Sequence, residues 1–518
     1  MKKKIFAMLM AAAMMLSMAA CGNGAEEKET ENSAGTEAQA AGGESTLVYG
    51  SNDYTRINPA MDEHGEINIL IFSGLTSHDG ENQVAPGLAK SWDYDEDTLT
   101  YTFHLEENVK WHDGEPFTAD DVKFTIEAIM DPDNGSENAP NYEDVTAIDV
   151  IDDHTIAFTL SAPNVAFLDY MTMAILPKHL LEGEDMQESD FFRHPIGTGP
   201  FKYVSYTPGQ NLELEKYDGY WQEGVPSLDS VEFKFIADVD TAFVELQAGT
   251  IDILKYLTSA QAETLGDDYN IVQGSMNLVH AMYLNSAYEP LSKTEVRQAL
   301  CYAVDRDAIN NFIFGGKSHI IGSHMIPAMS KYYEPEAETV YSYDPEKAKE
   351  LLADAGYADG FDLEITVPSS YSQHVDSAQI IADELSQVGI NVTLNQVEWS
   401  TWLQDVYKGG NFQATVIGFD GTLAPSDWLK KYVTDDAKNF MHYSNTEYDD
   451  VFNTAYTTVD DDVKVENYKK AQMILAEDAA AVYIEDPANL VAVSKKFGGY
   501  TFYPTAAEDM SLLYQVEQ

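Results

Sequence analysis

The chain has 518 residues, 87 acidic and 30 basic, so its formal net charge is 30 − 87 = −57. Such a surface repels a phosphate backbone or an anionic lipid face, which excludes nucleic acid as a partner. The two cysteines, Cys21 and Cys301, make no disulfide framework, and there is no CxxC, HExxH, phosphate loop or GxSxG elbow. The histidines are scattered without ligand spacing, so neither metal nor cofactor is expected. The acidity reads first as solubility in an extracellular milieu, with attraction of cationic ligands as the alternative.

Lys2, Lys3 and Lys4 precede an apolar run from Ile5 to Ala20 that is too short to span a bilayer. Residues 1–20 therefore read as a signal peptide. Met18-Ala19-Ala20-Cys21 resembles a bacterial lipobox, which implies cleavage before Cys21, acylation of its thiol and an extracytoplasmic protein lipid-anchored to the cell membrane. One acyl chain holds only marginally, so a lasting anchor needs two or three. The alternative is an ordinary signal peptide with an incidental Cys21. Residues 21–45 are mostly Gly, Ala, Glu, Thr and Ser with no aromatic, a composition that cannot offset its ordering entropy and predicts a flexible tether. The folded body then begins near Thr46 and is long enough to need several subdomains.

Leu47 to Tyr49 reads as a strand. Asn52, Asp53, Tyr54 and Arg56 follow it, facing either a cleft or solvent beside a turn at Asn58-Pro59. Leu99, Tyr101, Phe103 and Leu105 alternate with polar residues as in a half-buried strand, and His112-Asp113-Gly114-Glu115 is turn chemistry. Thr118 with Asp121 forms a capping box before Val122, Ile126, Ile129 and Met130 at helical spacing, and Asp131-Pro132 stops that helix. Cys301 shares a helical face with Val296, Leu300 and Val304, where a thiol acts as a small apolar residue.

Asp344 caps a helix with Pro345 at its first position, Ala348, Leu351, Leu352 and Ala355 on its buried face, and Gly356 at its end. Phe361 to Val367 alternates as a strand, Ile380, Ile381, Leu385 and Val388 mark a helix ending at Gly389, and Ile390, Val392 and Leu394 open another strand. This βαβ unit predicts a parallel pair with a right-handed crossover. A further strand runs through Phe412, Ala414, Val416 and Gly418. Ligands of open α/β sheets bind beyond the carboxyl ends of the strands. Three loops meet that rule: Pro368 to His374, the segment carrying Trp399 and Trp402, and Asp420 to Trp428. Trp399 and Trp402, three apart, also fit the buried stripe of a short helix. Asp427 also fits the cap of a helix from Trp428 to Val433.

Several landmarks run the length of the chain in order. They are Pro86-Gly87-Leu88-Ala89 with Ser91 and Trp92, then Trp111, Asp113, Gly114, Pro116, Thr118, Ala119, Asp121 and Val122. Pro195 to Phe201, Tyr217 to Trp221, Leu246 to Asp252, Val296 to Leu300 with Asp305-Arg306, and Met441 to Asn445 follow. Together with the helix through Gln472, Ile474 and Leu475 they resemble the family 5 extracellular solute-binding proteins, the peptide- and nickel-type receptors of ABC importers.

The resemblance implies an α/β, two-lobed periplasmic-binding-protein-like fold with an extra subdomain in lobe one. Lobe one would take residues 46–283, with an insert at about 63–190, and a C-terminal return at 489–518. Lobe two would take 284–488, with crossings near Leu284-Asn285 and Asn489 to Val493. It implies that Tyr371 and Trp399 line the ligand cleft and that the segment after Gly418-Phe419 supplies an acidic residue for the ligand's ammonium. That position falls on Asp420 or Thr422; Trp402, Asp427 and Tyr54 complete the candidate set.

The function implied is capture of an oligopeptide by lobe closure and delivery to a membrane permease with its ATPase, by a monomer without catalysis. A receptor for an oligosaccharide or nickel chelate, a sensing lipoprotein, and a glycosidase-type hydrolase are the alternatives. The last needs a carboxylate pair that no spacing here identifies. Dipeptide-type members offer a basic side chain before the position of Tyr371. Pro368-Ser369-Ser370 has none, which favours longer peptides or a non-peptide solute.

Overall fold

Strand Thr46–Ser51 opens the folded body, with Leu47 and Tyr49 buried in alternation. The computed structural model describes residues 45–53, 57–61, 65–79, 82–421, 423–502 and 509–516. The expected signal peptide, Cys21 and the tether up to residue 44 lie outside them. Ser45 is part of the body rather than the tether: it is buried, and its N–H donates to Asp229 Oδ2 at 2.8 Å.

Thr46–Ser51 pairs in parallel with Ser230–Phe235 and Ile253–Leu254. The first sheet has seven strands in the order 269–275, 488–494, 253–254, 46–51, 230–235, 211–216, 201–207. Between residues 51 and 201 the chain leaves this sheet and builds another, four-stranded and antiparallel, in the order 89–95, 100–105, 155–160, 145–152. Its strand Thr100–Leu105 sends Tyr101, Phe103 and Leu105 inward as their alternation requires. Leu99 belongs to the preceding turn instead, at φ +53°. Gly114, at φ +92°, makes the reversal that joins Lys110 to Pro116. Helix Ala119–Met130 follows, with the Asp121 carboxylate accepting the Thr118 N–H at 2.9 Å and Asp131 as its C-cap.

The second sheet has six strands in the order 319–320, 481–486, 278–284, 414–420, 362–368, 391–397. The βαβ unit is strand Asp362–Pro368, helix Ser372–Gln387 and strand Asn391–Val397, with the two strands parallel. Ahead of it, the Asp344 side chain caps helix Pro345–Asp354 by accepting the Lys347 N–H at 3.0 Å. Strand Leu278–Leu284 sends Val279, Ala281 and Tyr283 into one apolar core and Met282 and Leu284 into another on the opposite face. A strand buried on both faces carries no polar alternation.

The chain crosses between the two sheets at Met276-Asn277 and again at Pro487. The first crossing precedes the expected Leu284-Asn285, because the whole 278–284 strand is a central member of the second sheet. The second falls just ahead of the expected Asn489 to Val493, since Ala488–Ser494 already belongs to the first sheet. Two sheets joined by two crossing segments give a two-lobed α/β architecture. Among the described residues no helix is long and apolar enough to cross a membrane.

Candidate functional site

Strands 362–368, 391–397 and 414–420 are mutually parallel, so their carboxyl ends share one edge of the second sheet. The antiparallel partner 278–284 brings its start to that edge, with Leu278 opposite Asp420, and strand 481–486 ends there. In the first sheet, strands 46–51, 230–235 and 253–254 also end beside the crossings, where Ser275 pairs with Ala488. Both lobes thus turn the carboxyl ends of their parallel strands toward the hinge, the place where α/β sheets bind ligands.

On lobe two, Tyr371 and Trp399 are 40% and 39% exposed and meet edge to face at 5.7 Å between centroids. Trp399 lies on Trp402 at 5.2 Å and 13°, a stacked pair. Trp402 is itself 1% exposed, and its indole N–H donates to Thr415 Oγ1 at 2.9 Å. That hydroxyl donates in turn to the Thr366 carbonyl at 2.7 Å. Trp402 is therefore the buried support of the exposed Trp399, and its placement corrects its inclusion among residues open to a ligand. Its segment is no loop: the single turn Trp399–Thr401 runs into the π-helix Trp402–Lys408.

Asp420 ends its strand exposed to solvent. Gly421 follows under the Trp428 ring, where a Cβ would stand 2.2 Å from Trp428 Cε2. Helix Pro425–Lys430 has Pro425 in its first turn and Ala424 as N-cap, so Asp427 is not the cap of a helix starting at Trp428. Its Oδ1 accepts the Tyr170 hydroxyl of lobe one at 2.8 Å. Other links span the lobes: Asn82 Nδ2 to Met329 Sδ at 2.9 Å, Lys331 Nζ to Gln83 Oε1 at 3.4 Å, and Lys430 with Glu143 at 4.0 Å. Thr422, Tyr54 and Arg56 lie outside the described residues.

Lobe one contributes groups that the sequence did not announce. Lys255 Nζ sits 3.1 Å from Glu66 Oε1, which also accepts the Tyr49 hydroxyl at 3.3 Å. Tyr256, half-exposed at φ +61°, is held in the left-handed region while its N–H donates to Asn489 Oδ1 at 3.1 Å. A tyrosine in that conformation costs of order 1–3 kcal/mol, and such strain gathers at ligand clamps. Asp53 is tied within its own lobe, accepting from Tyr206 at 2.8 Å and from the Gly209 N–H at 2.7 Å.

Beneath the lobe-two wall lies a buried polar group. His280 and Glu485 are fully buried, with Nδ1 and Oε1 3.5 Å apart, and the His374 ring is 4.9 Å from that of His280. Burial pushes the Glu485 carboxyl up to about 8 and Asp486 up to about 7, and pulls His280 down to about 3. His374 Nε2 accepts the Gly418 N–H at 3.3 Å, joining the group to the cleft strand. Cys301, buried on its helix, has its thiol pushed up to about 12 by the same desolvation.

A hinge of two crossings, paired lobes and an aromatic wall beside it define a two-lobed binding protein of the periplasmic-binding kind. The model of the bacterial extracellular solute-binding proteins, family 5 Middle, matches residues 83–441, and the chain belongs to that family. It is 32% identical to the di/tripeptide-binding protein 1 of Pseudomonas aeruginosa, over 79% of this chain and 81% of that one. It is 29% identical to the dipeptide-binding protein of Escherichia coli, over 89% of this chain and 92% of the other. The oligopeptide-binding protein AppA of Bacillus subtilis, solved in complex with a nonapeptide, superposes with a TM-score of 0.76 at 26% identity, over 92% of this chain and all of that one.

Proposed function

We propose that this chain is the solute receptor of an ABC importer, that it captures oligopeptides between its lobes, and that it delivers them to a permease driven by an ATPase. The observation that carries the reading is the exposed Tyr371–Trp399 wall at the carboxyl ends of the lobe-two strands, facing a lobe one already linked to it through Tyr170 and Asp427. Peptides bound by the relatives named above support it. Closure draws its free energy from the ligand's differential affinity for the closed form.

Trp399 and Tyr371 would pack against side chains of the peptide, and Asp420 would take its ammonium. No arginine or lysine stands in Pro368-Ser369-Ser370, so a dipeptide's carboxylate has no partner there and would be left uncompensated in a closed cleft. Longer peptides avoid that cost. The receptor would act as a monomer outside the cytoplasm, tethered through lipid on Cys21. Calorimetry with a series from dipeptide to nonapeptide tests the reading. Affinity should rise beyond the dipeptide; absence of binding at every length would overturn it.

A further inference from the structure

Phe419 extends the aromatic wall inward. Its ring lies 6.2 Å from that of Trp402, which supports Trp399, and Lys431 Nζ sits over the other reach of the row, 4.7 Å from the Phe419 centroid. Lys431 follows helix Pro425–Lys430 as its C-cap. The charged groups around it are Asp420 at the end of the cleft strand, Asp427 in the helix that meets lobe one, and Asp436 and Lys438 on the segment that follows. His324, packed against Phe419 from below, is held neutral by burial.

The lysine is partly buried, and its ammonium has no hydrogen bond and no carboxylate within 4.0 Å among the described residues. Its neighbours at the lobe boundary differ. Lys331 lies 2.9 Å from Asp461, Lys464 lies 3.6 Å from the same carboxylate, and Lys430 lies 4.0 Å from Glu143. Burial and the Lys438 charge disfavour the ammonium, Asp420, Asp427 and Asp436 favour it from beyond 4.0 Å, and its three N–H bonds have no partner among the described residues. The aromatic face stabilises the cation without consuming those donors. An incoming carboxylate can take them without breaking an existing ion pair, and so without the cost of leaving a partner charge buried. In a chain of net charge −57, Lys431 and Lys438 are positive groups set among Asp420, Asp427 and Asp436.

We propose that Lys431 is the anion contact of the cleft and receives a carboxylate of the bound solute. The assignment rests on the peptide reading above and supplies the counter-ion that the Pro368–Ser370 loop lacks. The carboxylate belongs either to the peptide's C-terminus or to an acidic side chain near its ammonium, since Asp420 lies in the same electrostatic neighbourhood.

The test is calorimetry on the full chain with two matched pairs of tetrapeptides: free acid against C-terminal amide, and N-terminal Glu against N-terminal Gln. Wild type should prefer the carboxylate member of one pair by about tenfold, as expected for a charge-assisted hydrogen bond in a closed site. In Lys431→Met that ratio should fall to about one, whereas Lys431→Arg should keep most of it. The pair whose ratio collapses identifies the carboxylate. Lys431→Gln carries the same expectation and replaces the methionine variant if its melting curve shows misfolding. A wild type without either preference, or a charge-free variant that keeps it, overturns the assignment while peptide binding itself stands. Failure of wild type to bind any of the peptides overturns the peptide reading and this assignment together.

Discussion

The Tyr170 hydroxyl donates to Asp427 Oδ1 at 2.8 Å, tying the segment inserted into lobe one to the first turn of the lobe-two helix Pro425–Lys430. Burial, and then the Asp427 charge, raise the phenol's pKa, so the hydroxyl keeps its proton and stays a donor at any working pH. The bond joins the two lobes, so its loss is expected to weaken the form in which they meet. Tyr170→Phe should remove it with little change in melting temperature. Its net worth of about 1 kcal/mol should appear as a roughly fivefold weaker ligand affinity through population shift. An unchanged affinity would remove the bond from the closure equilibrium.

Trp399 and Trp402 form a stacked pair with opposite fates. Trp399→Ala should weaken ligand binding by about 1–3 kcal/mol, through lost apolar and aromatic contact, and leave the ligand-free melting temperature nearly unchanged. Trp402→Ala should instead destabilise the fold by about 3–5 kcal/mol, since it opens a cavity beneath the wall and removes the N–H that the Thr415 hydroxyl accepts. Calorimetry and thermal melts on both variants separate the roles; equal stability losses would place both indoles in the core.

Local signals in the sequence were enough for the elements that make their own contacts. The Thr118–Asp121 cap, the Gly114 reversal and the Asp344-Pro345 helix start are written in adjacent residues, and the βαβ unit follows from the alternation flanking one helical pattern. The hinge was less legible. Strands 278–284 and 481–486 are buried on both faces, so no pattern says which sheet owns them, and the crossing expected at Leu284-Asn285 falls a strand late. At the site, a three-residue spacing could not say which tryptophan faces out, and Pro425 moved the helix start ahead of Asp427. Lys431, Tyr170 and the His280–Glu485 pair become partners of the cleft only through contacts between distant parts of the chain.

Cys21 lies outside the described residues, and its role rests on the lipobox resemblance. Cys21→Ala should release the protein to the soluble fraction or leave its leader uncleaved, while wild type pellets with membranes and begins at Cys21. Fractionation with N-terminal sequencing decides it. A soluble wild type whose first residue is not Cys21 would refute the anchor.

His280 and Glu485 sit side by side at the hinge, both fully buried, and their titrations pull stability in opposite directions. Burial raises the Glu485 carboxyl from an ordinary 4.5 to about 8, so the folded chain keeps a proton that the unfolded chain releases. That contribution is complete below about 4.5 and is lost as pH rises to about 8. Asp486, raised from 3.8 to about 7, acts with the same sign. His280 is lowered from 6.5 to about 3, so its contribution is complete above 6.5 and is lost as pH falls toward 3. Between about 4.5 and 6.5 the Glu485 and His280 slopes oppose each other. Above 6.5 the carboxyls act unopposed, and stability should fall with a slope of about 1.4 kcal/mol per pH unit from Glu485 alone, roughly 2 kcal/mol by about pH 8. Glu485→Gln keeps the shape and a permanent N–H donor while removing the titration. Its melting temperature should therefore decline less than that of wild type between about pH 6.5 and pH 8. Parallel declines in the two proteins would show that Glu485 does not hold its proton at the hinge.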